Sequence, residues 1–245
     1  WAWVWNKILW PTAEIIWWDL KNLYEKWRDK IFEKAEKKTP NINDGKQSNL
    51  RVTREVFMNW SFTDEEICAE YFGGILASSR SEDWKDDAWV FYVDIIKSMS
   101  SAQLKLHYII YRTLNKEFIS NINKQTINPW QESELQSEML FIPLKLIENI
   151  KQDLWSVLHW LAALKLIWSF QTWEHDIWEW KFLPYLRISP TTLGIQLYAV
   201  ASNKFEQWRE FSYTDFWDFE NIDTPTYYAQ SIDELTNRTW IKTNS

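Results

Sequence analysis

The stretch Ser61-Phe-Thr-Asp-Glu-Glu-Ile-Cys-Ala-Glu-Tyr-Phe-Gly-Gly-Ile-Leu-Ala-Ser-Ser79 decides the fold class, because it carries a helix start and a buried face together. Thr63 followed three residues later by Glu66 reads as a capping box, and Asp64 and Glu65 add negative charge to a first turn whose backbone N–H groups lack partners. Ile67, Tyr71 and Ile75, flanked by Ala69, Phe72 and Leu76, then recur at three- and four-residue spacing. That spacing predicts a broad apolar face, with Glu66 and Glu70 pointing away from it. Gly73 and Gly74 sit inside the pattern and are half of the glycines in the chain.

Working outward toward the amino terminus, Ile15, Ile16, Leu20, Leu23, Tyr24, Ile31 and Ala35 keep a helical period from Pro11 onward, and Glu33 with Lys37 forms a favourable i,i+4 pair. The Lys/Glu-rich end of this helix, Glu33 to Lys38, reads as a solvated face. Thr39 to Asn49, with Pro40 and Asp44-Gly45, reads as a linker or exposed loop, and Leu50 to Met58 as a short apolar-periodic segment. Downstream of Ser79, Arg80 to Asp87 is an acidic loop and Val90 to Ile96 a helix. Ser100 or Ser101 caps a further helix on which Leu106, Ile110, Leu114 and Phe118 form one stripe and Tyr108 and Tyr111 a second. Such tyrosines are expected in a core with the hydroxyl in water.

Asn121 to Ser133 is a second boundary. Beyond it, Leu144 to Asp153 and Ser156 to Ile167 read as two helices joined at Leu154-Trp155, followed by strands at Ser169 to Thr172 and Lys181 to Ile188 flanking the loop Trp173 to Trp180. Ser189-Pro190 reads as the start of a last helix, with Ser at the cap and Pro at the first position. This order resembles a winged helix. The tail from Phe205 is aromatic and acidic and is expected to be irregular. The fold class expected is mainly α, a helical domain followed by a winged-helix-like α+β domain with a small β-hairpin. Its segments are an amino-terminal helix (1–38), a central helical domain (49–126), the winged-helix-like domain (134–202) and the tail (203–245).

Of the 245 residues, 46% are hydrophobic and 25% charged, a globular composition. A net charge of −7 argues against a generic polyanion-binding surface. The single cysteine, Cys68, excludes an internal disulfide framework, and with three histidines it excludes a Cys-rich zinc site. A reducing cytoplasm is the expected location. No run of 18 or more apolar residues is present. The first residue is not Met, so a fragment or processed product is expected.

Tryptophan is the abnormal residue: 20 Trp stand against 4 Gly, where average usage predicts roughly 17 glycines. Asn59-Trp60, Asp83-Trp84 and Pro129-Trp130 occupy places where Asn-Gly, Asp-Gly and Pro-Gly turns are expected. Most of these tryptophans therefore read as glycines translated with the wrong genetic code, since UGA is read as Trp in some codes and Gly in others; the alternative is a Trp-rich protein that uses the rings for packing or ligand stacking. Trp208, within Phe205-Glu-Gln-Trp-Arg-Glu-Phe211, reads as a genuine one. Taken literally, residues 1–10 suit a membrane interface, and with glycine restored they become a small-residue stretch.

For a DNA-reading winged helix, Ser156 to Ile167 offers only His159 and Lys165 toward base edges, which favours packing or protein contact. Glu174-His175-Asp176 is a compact titratable cluster that reads more simply as a solvated wing tip than as an acid/base pair or metal site. Cys68 reads as a buried structural thiol and His107 as a satisfied or surface histidine. There is no P-loop, G-x-G-x-x-G or H-E-x-x-H. No catalytic, cofactor-binding or metal residue is therefore assigned.

Trp10-Pro-Thr-Ala-Glu-Ile-Ile-Trp-Trp-Asp-Leu20 followed by Arg28-Asp-Lys-Ile-Phe-Glu-Lys-Ala-Glu-Lys-Lys38 resembles the amino-terminal signature of the Abi-alpha (abortive infection alpha) family, the more so with Trp10 and Trp17 read as glycine. Asp64-Glu-Glu-Ile67 with Tyr71 to Ser79 is similar to that family's central helix, with Ile75 in place of its first Leu, and Asp94 to Leu104 is similar to its joining segment. The resemblance implies bacterial phage defence through contact with a phage or host protein, and it carries no catalytic residues. A winged-helix transcriptional regulator and a membrane-surface effector using residues 1–20 stand as the alternatives.

Peptide mass spectrometry of the native protein is expected to return glycine at positions 60, 84 and 130; UGG codons there would overturn the glycine reading.

Overall fold

In chain order the elements of the computed structural model are α1 (Trp10–Lys38), β1 (Gln47–Ser48), α2 (Leu50–Met58), α3 (Glu66–Ser78), β2 (Arg80–Ser81), α4 (Val90–Lys97), α5 (Ser101–Ser120), α6 (Glu132–Ser137), β3 (Leu140–Pro143), α7 (Leu154–Ala163), β4 (Ile167–Trp178), β5 (Lys181–Pro190) and α8 (Thr192–Ala201). Short 3-10 turns lie at Ile122–Lys124, Leu144–Ile147 and Phe205–Glu210. The structure describes residues 10–58, 65–83, 86–148, 150, 153–178, 181–226 and 228–235. Residues 1–9, Trp60, Thr63, Asp64 and Trp84, on which parts of the sequence reading rest, lie outside them.

The protein is mainly helical, and α3 is its centre: every residue from Ile67 to Ala77 is buried. Two helices press on it closely enough to require its glycines. A methyl group on Gly73 would stand 2.7 Å from Lys34 Cβ, and one on Gly74 would stand 2.0 Å from the carbonyl oxygen of Ala201 at the end of α8. Backbone cannot yield that distance, so any side chain at position 74 forces α3 and α8 apart, an overpacking cost on the order of 1–3 kcal/mol or more. The glycine pair thus has a packing role that spacing alone did not reveal.

Two expectations about α3 are corrected. Its N-cap is Glu65, in extended conformation, whose side chain makes no capping hydrogen bond, and Thr63, expected there, lies outside the described residues. The Glu66 carboxylate is drawn away from the helix end by Lys30 and Lys34 of α1. Glu70, expected to point away from the core, is 2% exposed.

Around α3, α2 contributes Val52 and Val56, and α4 contributes Val93 and Ile96. Asn49 caps α2 by accepting the Arg51 and Val52 N–H groups. Ser100 opens α5 with a reciprocal capping box to Gln103. The residues expected to form a plain linker and an acidic loop meet as the short antiparallel pair β1–β2.

In the second half, β3, β5 and β4 form a three-stranded antiparallel sheet in that order. Leu144 to Asp153 is not the helix expected: Leu140 to Pro143 is a buried strand, followed by one 3-10 turn. Leu154 and Trp155 are not an interhelical turn but the first turn of α7, which Asp153 caps. The expected loop Trp173 to Trp180 is strand as far as Trp178. Ser189-Pro190 ends β5, opposite Ser169 and Ile167, and Thr191 caps α8 by accepting the Gly194 N–H. Proline is tolerated at the strand's last position, and Thr191 supplies the cap that Ser189 was assigned.

Buried residues of all four sequence segments join one hydrophobic cluster, from Trp27 and Ile31 of α1 to Trp208, Phe211, Phe216 and Phe219 of the tail. Asn115 of α5 pins the irregular tail by donating to the Phe211 and Thr214 carbonyls and accepting the Phe216 N–H.

The described tryptophans fall mostly into two groups. Trp208 and Trp27 are buried. Trp130, Trp155, Trp160, Trp168, Trp173 and Trp217 are all large exposed apolar groups. Trp217 adopts φ +64°, the left-handed region that glycine enters freely and a bulky residue does not.

Candidate functional site

A largely buried ion network is built from two matched i,i+4 pairs. Lys34 and Lys38 lie one turn apart on α1, Glu66 and Glu70 one turn apart on α3, and the close approach at Gly73 brings the pairs face to face. The Lys34 ammonium contacts Glu66, Glu70 (2.8 Å) and Glu220 (2.8 Å), one carboxylate for each of its three N–H groups. Lys38 contacts Glu70 Oε2 at 2.5 Å and donates to the Glu70 and Ala201 carbonyls at 2.7 and 2.9 Å. It also lies 4.3 Å from the centre of the Phe219 ring. The Ala201 carbonyl ends α8, so Lys38 places a cation on the negative end of that helix. Lys37 holds Glu220 and Glu33, both at 2.8 Å.

Lys34 is 3% and Lys38 9% exposed; the end of α1, read as a solvated face, is solvated only at Glu33, Glu36 and Lys37. Burial pushes the Lys38 ammonium down to about 8 even with Glu70 beside it. Burial also acts against Lys34, but hydrogen bonds to Glu220, Glu66 and Glu70 hold it above the ordinary ammonium value. Glu220 is held down to about 2 by its hydrogen bonds from Lys34 and Lys37.

Oxygens of Glu66, Glu70 and Glu220 lie within 4.8 Å of one another, a spacing that suits a metal ion. Lys34 already supplies the positive charge among them, so a divalent cation could bind only by displacing a buried ammonium. The arrangement suits mechanical coupling of α1, α3, α8 and the tail better than chemistry.

A second buried polar group surrounds His107. The Tyr71 hydroxyl and His107 Nδ1 lie 2.5 Å apart, and His107 Nε2 has no well-formed partner. Burial lowers the imidazole pKa to about 3, with the Gly194 backbone offsetting little. The histidine is neutral and fully buried, not on the surface. The tyrosine hydroxyls, expected in water, are engaged inside: Tyr111 donates to the Leu166 carbonyl and accepts the Thr191 N–H, and Tyr108 accepts the Phe219 N–H. Nearby, Arg112 clamps Asp215 and Asp218 of the tail; its hydrogen bond holds Asp218 down to about 2.

Cys68 is buried, as expected. Glu174, His175 and Asp176 stand on β4 opposite Pro184, Leu183 and Phe182, with side chains outside the described residues. His159 is exposed on α7, stacked on Trp155, and Lys165 follows the helix at φ +57°. The structure does not bring these residues together. Lys34, Lys38 and Glu70 escaped the sequence reading, although their paired four-residue spacing on two helices was a usable signal. Among the described residues no helix is long and apolar enough to cross a membrane.

No family model, curated protein or solved structure matches the chain.

His107 makes stability depend on pH with a definite sign. Folding depresses its pKa from about 6.5, so its contribution is whole above that value and is lost as pH falls toward 3. Urea unfolding between pH 6.5 and 5 should show stability falling by up to about 1.4 kcal/mol per pH unit. His107→Phe should reduce that slope, and an unchanged slope would contradict the assignment.

Proposed function

We propose that this chain is a phage-defence protein of the abortive-infection kind, similar to the Abi-alpha family, and that it acts by contact with a phage or host protein. One observation carries the reading. Two stretches that resemble the family, Arg28 to Lys38 and Asp64 to Ile67, meet in one ion network through Lys34 and Glu66. The resemblance therefore falls on residues that complement one another across two helices, which a chance likeness between two helical stretches does not require.

We read the second half as a winged helix used for protein contact. The strand order β3-β5-β4 and the placement of α7 directly before the long hairpin support that arrangement. The outward face of α7 carries Trp155, Ser156, His159 and Trp160 and no Lys or Arg, a poor surface for phosphates or base edges. A transcriptional regulator and a membrane-surface effector remain the competing readings, on the winged helix and on residues 1–20 respectively.

Plaque counts test the proposal. A gene encoding the native residues at the reassigned codons should lower plaque numbers for susceptible phages, and Glu70→Gln should abolish the protection. Equal counts with and without the gene across a broad phage panel would overturn the reading.

A further inference from the structure

We propose that the cleft between the β1–β2 pair, the start of α4 and the segment following α8 binds a phosphate-bearing small molecule. The cleft has a volume of about 540 Å³, within the ~300–1,000 Å³ range of small-molecule sites. Its lining reverses the charge of the protein. The chain as a whole has 34 acidic residues against 27 basic ones, whereas the cleft presents Lys46, Arg80 and Lys204 against Asp44 and Glu206, apart from Lys38, which Glu70 satisfies.

Arg80 is the anchor of this set. Its side chain is 13% exposed, and Nη2 is held by Asp44 and by the Ile42 and Lys46 carbonyls. Nε and Nη1 have no partner among the described residues, so a guanidinium fixed in place at one corner keeps N–H donors for a ligand. A planar, preorganised guanidinium suits the paired oxygens of a phosphate. Lys46 lies across from it, just before β1, its carbonyl accepting from Arg80. Lys204 lines the other wall, after Asn203 at φ +53°, with its ammonium also donating to the Asp215 carbonyl. With Asp44 neutralised by Arg80, two lysines oppose the single carboxylate of Glu206. The Asn203 and Gln207 amides border the same space.

The inference does not depend on the disputed tryptophans. Trp89 and Trp217 border the cleft, and Lys204 lies 4.2 Å from the centre of the Trp217 ring. With glycine at those positions the cleft widens and Lys204 loses its indole partner, while the three cations and the ring of Phe205 stay.

Isothermal titration calorimetry of the full chain, carrying its native residues, with ATP and separately with inorganic pyrophosphate is the test. Saturable binding of either at fixed ionic strength is expected. A response to ATP alone identifies a nucleotide, and a response to both identifies the phosphate groups as the shared determinant. Lys46→Glu, on an exposed turn, should weaken binding by tenfold or more without moving the thermal midpoint, and Lys204→Gln should weaken it in the same sense. Absence of saturable binding to both probes, or affinity undiminished in both variants, overturns the proposal.

Discussion

Four parts of the chain meet at two ammonium groups. Lys34 and Lys38 of α1 reach into the interior and engage Glu66 and Glu70 of α3, the last carbonyl of α8 and Glu220 of the tail. Burying such charges costs several kcal/mol per ion unless each polar group finds a partner. Here each lysine has three acceptors, which is what makes the burial tolerable. Gly73 and Gly74 are a condition of this arrangement, since any side chain there would hold α1 and α8 at a distance from which the lysines could not reach. The tail adds a second clamp of the same kind, exposed Asp215 and Asp218 on buried Arg112. Partly exposed pairs of this sort are screened and contribute less, and the buried rings of Phe211, Phe216 and Phe219 supply most of the tail's attachment.

Most helices of the first half were legible in the sequence because their apolar periods are unbroken. The Ser100-capped helix follows from side chains within a turn of one another, whereas Val90 to Ile96, too short to classify by its own period, reads as helix from its helical neighbours. Position of a charge relative to the core was not legible. Glu70 and Lys38 look like surface residues when each helix is considered alone, and only the partner helix turns them inward. The second half was less readable for a different reason. Leu140 to Pro143 is a four-residue strand buried throughout, so it has no alternation to betray it, and Ser189-Pro190 carries the chemistry of a helix cap although the cap belongs to the next residue. The buried polar site around His107 was also hidden, because its partners, Tyr71 and the backbone near Gly194, lie far away in sequence.

Trp155 and Trp160 stand on the exposed face of α7, Trp168 and Trp173 on β4 and Trp217 at positive φ, while Trp27 and Trp208 are buried. The central hub contains no tryptophan at all. The fold's organising contact therefore stands whichever residue occupies those positions.

A double-mutant cycle between Lys38 and Glu70 tests the central claim most directly, using Lys38→Met, Glu70→Leu and the pair. Lys38→Met leaves Glu70 with Lys34 alone and Glu70→Leu leaves Lys38 with carbonyl acceptors only, and each should cost up to about 3–5 kcal/mol in urea unfolding. The double variant should cost less than the sum by about 2 kcal/mol or more, since both charges leave together. Costs that add to within about 0.5 kcal/mol would contradict the account, because the two groups would then not be holding one another inside the protein.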